Sequence, residues 1–181
     1  MNAEEIQAEI VRLEQAILNL HQPALIESDV LALLEVIALH PELSEEDVYR
    51  VHFIHSQALW LQGNNQPALD IALRILAWAQ NADNIPFLIR AHAHCGALYR
   101  NLGEFQQSED SYTAALEISN QSEYKDLLSA VMGGFGQLYR AMHHYEKAIE
   151  YLLSALQLAE LNGASRRAVS WSGILGLTYD D

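Results

Sequence analysis

The sequence predicts an all-α fold of consecutive antiparallel helix pairs, on three observations. Half of the 181 residues are apolar, yet there are only four prolines and nine glycines. That is few for the many turns of an all-β chain, while Ala and Leu, both strong helix formers, abound. Next, a pattern recurs at an offset of forty residues: Gly96-Ala97-Leu98-Tyr99-Arg100-Asn101-Leu102-Gly103-Glu104-Phe105 aligns with Gly136-Gln137-Leu138-Tyr139-Arg140-Ala141-Met142-His143-His144-Tyr145. Finally, apolar residues at 112, 115 and 116, and again at 152, 155 and 156, form the one-sided stripe of an amphipathic helix. A helix pair with such a stripe cannot cover its own apolar face, so the next pair must stack on it.

Taken in order, helices are expected over 4–20 and 24–39, then over 44–62, 65–80, 84–102, 105–119, 123–142, 145–161 and 164–179. The first two fall within residues 1–43, in the same forty-residue phase, as either a degenerate first repeat or an N-terminal cap. Three repeats follow, 44–83, 84–123 and 124–163, and then a partial repeat or capping helix at 164–181. Ser44 with Asp47 three residues later reads as a helix N-cap, and Gly63, Gly103 and Gly163 fall at helix ends. Small residues form two columns: Ala16, Ser56, Gly96, Gly136 and Gly176, and Ser28, Ala68, Ser108 and Ala148. The first column lets the two helices of a pair approach closely. Leu59, Tyr99, Tyr139 and Tyr179, three positions on, share its face and fill the gap. Ala32, Ala72, Tyr112 and Leu152 form a further column on the second helix.

The formal net charge of −14 and the pI near 4.8 argue against nucleic acid and against an anionic membrane surface as partners. Cys95 is the single cysteine, so no intrachain disulfide is possible. The first residues lack a basic n-region and an apolar h-region, and no stretch has the length and apolarity of a membrane span. A cytoplasmic location is expected.

The order of small residue, Tyr three later, turn Gly and small columns on the second helix resembles the tetratricopeptide repeat. Gly96, Tyr99, Gly103, Ser108, Tyr112 and Ala115 match it in order and spacing. Gly136, Tyr139, Ala148, Leu152 and Ala155 do so with His143 in place of the turn Gly, and Ser56, Leu59, Gly63, Ala68 and Ala72 match more loosely. The usual period of that family is about 34 residues. Here the extra residues fall around 80–86, 120–126 and 160–166, implying longer helices or loops there. HEAT-type repeats have periods nearer forty but do not explain the order of small residue, Tyr and Gly. The resemblance implies a right-handed superhelical solenoid whose first-type helices line a concave groove.

Carried over by register, groove columns hold Arg50, Gln57, Trp60, Arg90, Arg100, Asn101, Gln137 and Arg140. Four of the ten Lys and Arg residues thus fall in groove columns of an acidic chain. Guanidiniums bond bidentately to carboxylate or phosphate. The expected function is therefore a non-catalytic protein- or peptide-binding scaffold, whose partner offers an acidic segment or a free carboxylate. The competing reading pairs Arg50 and Arg90 with rim acids and assigns Arg100 and Arg140 to the negative ends of their helix dipoles. The alternative function is an N-terminal regulatory, sensor or dimerisation module of a longer bacterial signalling protein, such as a diguanylate cyclase or transcriptional regulator. No phosphate loop, Gly-x-Ser-x-Gly or His-Glu-x-x-His occurs, so neither an enzyme nor a cofactor is expected.

Two further features complete the reading. His52-x-x-His55 and His92-x-x-Cys95 stand at one register on successive first-type helices, a spacing that admits zinc but better suits inter-helix packing. Tyr99, Phe105, Tyr112, Tyr139 and Tyr145 recur with the repeat and read as core, whereas Trp60 and Trp78 do not recur and are better candidates for exposed contacts, with Trp78, on a second-type helix, equally suited to packing. Trp171, Ile174 and Leu175 would leave the last helix with an uncovered apolar face, which predicts a homodimer through that helix.

Overall fold

The computed structural model describes residues 1–19, 22–121, 124 and 127–180. The expected helix start at Glu123, the junction residues around it and Asp181 lie outside the described residues. Among those described there are nine helices and no strand: α1 (Ala3–Leu18), α2 (Pro23–Ile37), α3 (Glu45–Leu61), α4 (Asn65–Asn81), α5 (Ile85–Leu102), α6 (Phe105–Gln121), α7 (Leu128–Ala141), α8 (Tyr145–Leu161) and α9 (Ser165–Asp180). The chain divides into two compact units, Met1–Ile75 and Leu76–Asp181.

The origin of the forty-residue period is visible in the turns. Left-handed residues occur at Gly63 (φ 83°), Asp83 (48°), Gly103 (81°), His143 (60°) and Gly163 (65°). Each turn closes in the same way. The Gly103 amide donates to the Arg100 carbonyl at 3.1 Å and the Glu104 amide to the Tyr99 carbonyl at 2.9 Å, and the same pair of bonds closes the turns at 63, 83, 143 and 163. This is the Schellman arrangement, which satisfies carbonyls left over at a helix end. With such short turns, the length beyond 34 residues lies in the helices, which run to 17 or 18 residues in α3, α4, α5, α6 and α8. His143 takes the left-handed seat although it carries a Cβ, a strained choice.

The small columns work by close approach. A Cβ on Gly136 would sit 2.5 Å from Leu152 Cγ and 3.2 Å from the Ala148 carbonyl oxygen, and one on Gly96 would sit 2.9 Å from the Tyr112 ring. The hydroxyls of Ser56 and Ser108 donate to the carbonyls of Ala68 and Gly96, each at 2.7 Å, bonding the facing helices of their pairs.

In the first unit, Ile6, Ile10, Leu13 and Ile17 of α1 and Ile26, Val30, Leu33 and Ile37 of α2 form one core with Val51, Ile54 and Ala58 of α3. The Ser44 hydroxyl caps α3 by accepting the Asp47 amide at 3.2 Å. The expectation that α1 and α2 share the later phase is overturned. Ser28 and Ala32 are exposed. The buried set of α2 (26, 30, 33, 37) lies forty-two residues before the buried set of α4 (68, 72, 75, 79), and Ile10, Leu13 and Ile17 lie forty-one before Val51, Ile54 and Ala58. The slip has a cause. The connection from α2 to α3 spans residues 38–44, with a turn at His40-Pro41, where the connections from α4 to α5 and from α8 to α9 use three residues each.

In the second unit, Tyr112, Ala115, Val131, Phe135, Leu138, Tyr139 and Ala148 build the core. The last helix differs from expectation. Trp171 lies where a Cβ on Gly133 would come within 2.4 Å of its ring, and its indole N–H donates to the Ser129 hydroxyl at 3.1 Å. That hydroxyl in turn donates to the Ala155 carbonyl at 2.8 Å. Leu175 is buried as well. Trp171 and Leu175 are therefore packed within the unit, because two consecutive glycines on α7, Gly133 and Gly134, leave room for the indole and the Tyr112 ring, while Ile174 is half-buried.

Candidate functional site

In the first unit, Arg50 is held in place. Its Nε and Nη2 donate to the two carboxylate oxygens of Glu14 at 2.9 and 2.8 Å, and Nη1 reaches Asp47 and Gln7, each at 3.2 Å. The Glu14 carboxylate raises its pKa above the ordinary guanidinium value. A fork closed on a carboxylate of its own fold is poorly placed to read a partner. Gln57 and Trp60 are half-buried on α3.

The second unit gathers more of the candidates. Arg100, at the end of α5, and Gln137 and Arg140, on the last turns of α7, line one cleft of about 430 Å³ together with Ala141, His143, Tyr145 and Ile174. Arg100 Nη1 donates to Gln137 Oε1 at 3.0 Å and Nη2 to Asn101 Oδ1 at 3.1 Å. Both acceptors are neutral amides, so these bonds orient the guanidinium without cancelling its charge. No Asp or Glu occurs among the described residues that line the cleft. Tyr145 and His143 are joined by a 2.7 Å contact between the phenol oxygen and Nδ1. Ile174 supplies an apolar wall. The cleft can thus receive an anionic, planar, oxygen-bearing group beside an apolar side chain. Arg90 stands apart, half-buried, with its guanidinium carbon 5.3 Å from the centre of the Phe87 ring.

Sequence register places Arg100, Asn101, Gln137 and Arg140 in one neighbourhood. It misses His143, Tyr145 and Ile174. The available signal for His143 was its departure from the turn glycine, which puts a side chain at the mouth of the cleft. Tyr145, expected in the core, lines the cleft instead, while Tyr112 and Tyr139 are buried as expected. Trp78 is half-buried and meets Phe87 edge to face at 5.2 Å, which is the packing alternative of the two.

Residues 87–160 match the model of the tetratricopeptide repeat family. Six of the seven described residues that line the cleft fall within that stretch, and Ile174 lies beyond it. Among solved structures, the chain resembles the crystal structure of the apo form of RapI, with a TM-score of 0.76 at 16% identity. The likeness covers all of this chain and 65% of RapI, so the chain spans less than two thirds of that protein's length. At that identity the likeness establishes a shared tetratricopeptide-like helical fold. A search of curated proteins found no match to the sequence. Tetratricopeptide repeats are in general non-catalytic scaffolds.

The histidine and cysteine pattern gives no metal centre. Among the described residues, no three His, Cys, Asp or Glu side chains come together in a way that would hold an ion. Burial lowers the pKa of His52, His55 and His92 and raises that of Cys95 to about 12, so they suit packing as neutral groups. No helix among the described residues is long and apolar enough to cross a membrane.

Proposed function

We propose that the protein is a peptide-binding scaffold, and that the cleft between Arg100 and Arg140 receives the carboxylate of a partner segment. What supports the reading is Arg100, held by two neutral amides in a cleft that it shares with Arg140 and whose described lining contains no acid. In a chain of net charge −14, a cleft lined by two arginines and by no described acid favours an anionic guest. Gln137 spends its oxygen on Arg100, which leaves its amide nitrogen as a donor toward the guest. Ile174 accommodates an apolar side chain next to the carboxylate.

The test uses a labelled peptide of acidic residues ending in Leu with a free carboxylate, and the same peptide as its C-terminal amide. The free acid binds more tightly, by about tenfold or more, as expected for charge-assisted hydrogen bonds of roughly 1.5–3 kcal/mol. Arg100→Ala with Arg140→Ala abolishes the difference, and Arg50→Ala leaves it unchanged. Equal binding of acid and amide, or full affinity in the double variant with helicity intact, refutes the reading.

A further inference from the structure

The turn between α7 and α8 departs from its two counterparts in the chain. Forty and eighty residues earlier the left-handed seat holds Gly103 and Gly63, and the second residue beyond it is Phe105 or Asn65. Here the seat holds His143 at φ 60°, and the second residue beyond it is Tyr145. A Cβ in that conformation costs stability that glycine does not. The middle position changes as well, from Glu104 to His144, so residues 143–145 carry no acid. Strain of this kind marks a place where the side chain has a task that glycine has no means to perform.

Both His143 and Tyr145 line the cleft of about 430 Å³ that holds Arg100 and Arg140. The His143 amide donates to the Arg140 carbonyl at 3.0 Å, which ties the turn to the end of α7. The imidazole Nδ1 and the Tyr145 Oη stand 2.7 Å apart, and the two rings meet edge to face at 5.8 Å. A neutral imidazole carries one N–H and a phenol one O–H. One of these two hydrogens lies in the contact. If the phenol donates to Nδ1, the imidazole proton sits on Nε2. If Nδ1 donates to Oη, the phenol hydrogen is the one left over. Either arrangement keeps one donor for a further acceptor. The pair also borders a second cleft of about 410 Å³, but Glu146 belongs to that lining, so an anion is better received beside the arginines.

We propose that His143 and Tyr145 form a third, specificity-determining arm of the cleft, whose remaining hydrogen is donated to the carboxylate of the guest beside the guanidinium of Arg100. A carboxylate has about four acceptor positions, and one guanidinium fork fills two of them. The arm takes one of those that remain. Glycine at 143 would suit the turn better and would leave the arm out. The inference rests on the reading of the cleft as a carboxylate receptor and deepens it, by naming the side chains beyond the arginines that hold the anion.

Two variants copy turn residues that the chain already uses: His143→Gly reproduces Gly103, and Tyr145→Phe reproduces Phe105. Binding of the acidic peptide ending in Leu, as free acid and as C-terminal amide, is measured on the whole chain by fluorescence anisotropy, with thermal melting alongside. His143→Gly weakens the free acid about tenfold, leaves the amide unchanged and melts no lower than wild type. Tyr145→Phe deletes the phenol hydrogen and releases the imidazole, and weakens the free acid severalfold. Lower melting of both variants with the preference for the acid intact marks a merely structural contact and overturns the proposal. Wild type binding acid and amide alike removes the cleft reading and this inference together. Wild type preferring the acid, with His143→Gly binding it at full affinity or losing acid and amide equally, overturns this inference alone and leaves the arginines as the receptor.

Discussion

Gly136 and Gly176 occupy the same column of the repeat, yet adding one methyl group should have opposite effects at the two sites. In each case Ala in place of Gly within a helix gains about 1 kcal/mol of helix propensity. At Gly176 nothing stands within 4 Å of the new Cβ, so the gain is realised in full. At Gly136 the Cβ would lie 2.5 Å from Leu152 Cγ, 2.9 Å from Leu152 Cδ2 and 3.2 Å from the Ala148 carbonyl oxygen. The first of these is a branch point and the last is backbone, so neither yields by a simple rotamer change, and α7 and α8 must separate. Overpacking of this kind costs about 2–3 kcal/mol, for a net loss of roughly 1–2 kcal/mol. For a chain of this size 1 kcal/mol moves the melting temperature by about 2–4 °C. Gly176→Ala should therefore raise the midpoint by about 2–4 °C, and Gly136→Ala should lower it by about 2–8 °C. The assay is thermal melting by circular dichroism at a concentration low enough to hold the chain monomeric. A Gly136→Ala variant melting at or above wild type would refute the claim that the small column exists for helix approach.

Other expectations follow from single contacts. Ser44→Ala removes the cap on α3 and should cost about 1 kcal/mol in a urea titration. His143→Gly relieves a left-handed Cβ at φ 60° and should stabilise by about 0.5–1 kcal/mol, whereas Gly103→Ala at φ 81° should destabilise by about 1 kcal/mol or more. His94 is buried, and burial, aided by the Arg90 charge, lowers its pKa to about 4. Because the unfolded His protonates first as pH falls, stability is intact above about pH 6.5 and is lost between pH 6.5 and 4. The loss is about 3 kcal/mol, and His94→Gln should flatten that slope in denaturation measured against pH.

The helices were legible because their signals are local. Ser44, Gly63, Gly103 and Gly163 mark ends that the chain reaches by short-range hydrogen bonds. The repeat columns were legible from 44 onward because one geometry is reused, so each Gly or Ala reports the same close approach. The phase of α1 and α2 was not legible. Their buried residues are Ile, Leu and Val, which fit any amphipathic register, and a slip of one or two residues in the connection around His40-Pro41 leaves no mark in composition. Exposed Ser28 and Ala32 happened to be small, so they mimicked the later column.

Arg50 and Arg100 show why the site was only half legible. Both stand in groove columns, and the sequence assigns them the same role. What separates them is the identity of the side chain that reaches each guanidinium. For Arg50 it is Glu14, thirty-six residues earlier, and for Arg100 it is Gln137, thirty-seven residues later. A carboxylate at that distance closes the fork, while an amide only aims it. The difference between a structural ion pair and a receptor for an outside anion is therefore set by one neighbouring side chain. Replacing that amide with a carboxylate converts the second case into the first. Gln137→Glu should pair with Arg100 and, if the cleft binds carboxylates, should weaken the free-acid peptide while sparing its amide. A variant that binds the acid as well as wild type does would remove Arg100 from the recognition of the guest.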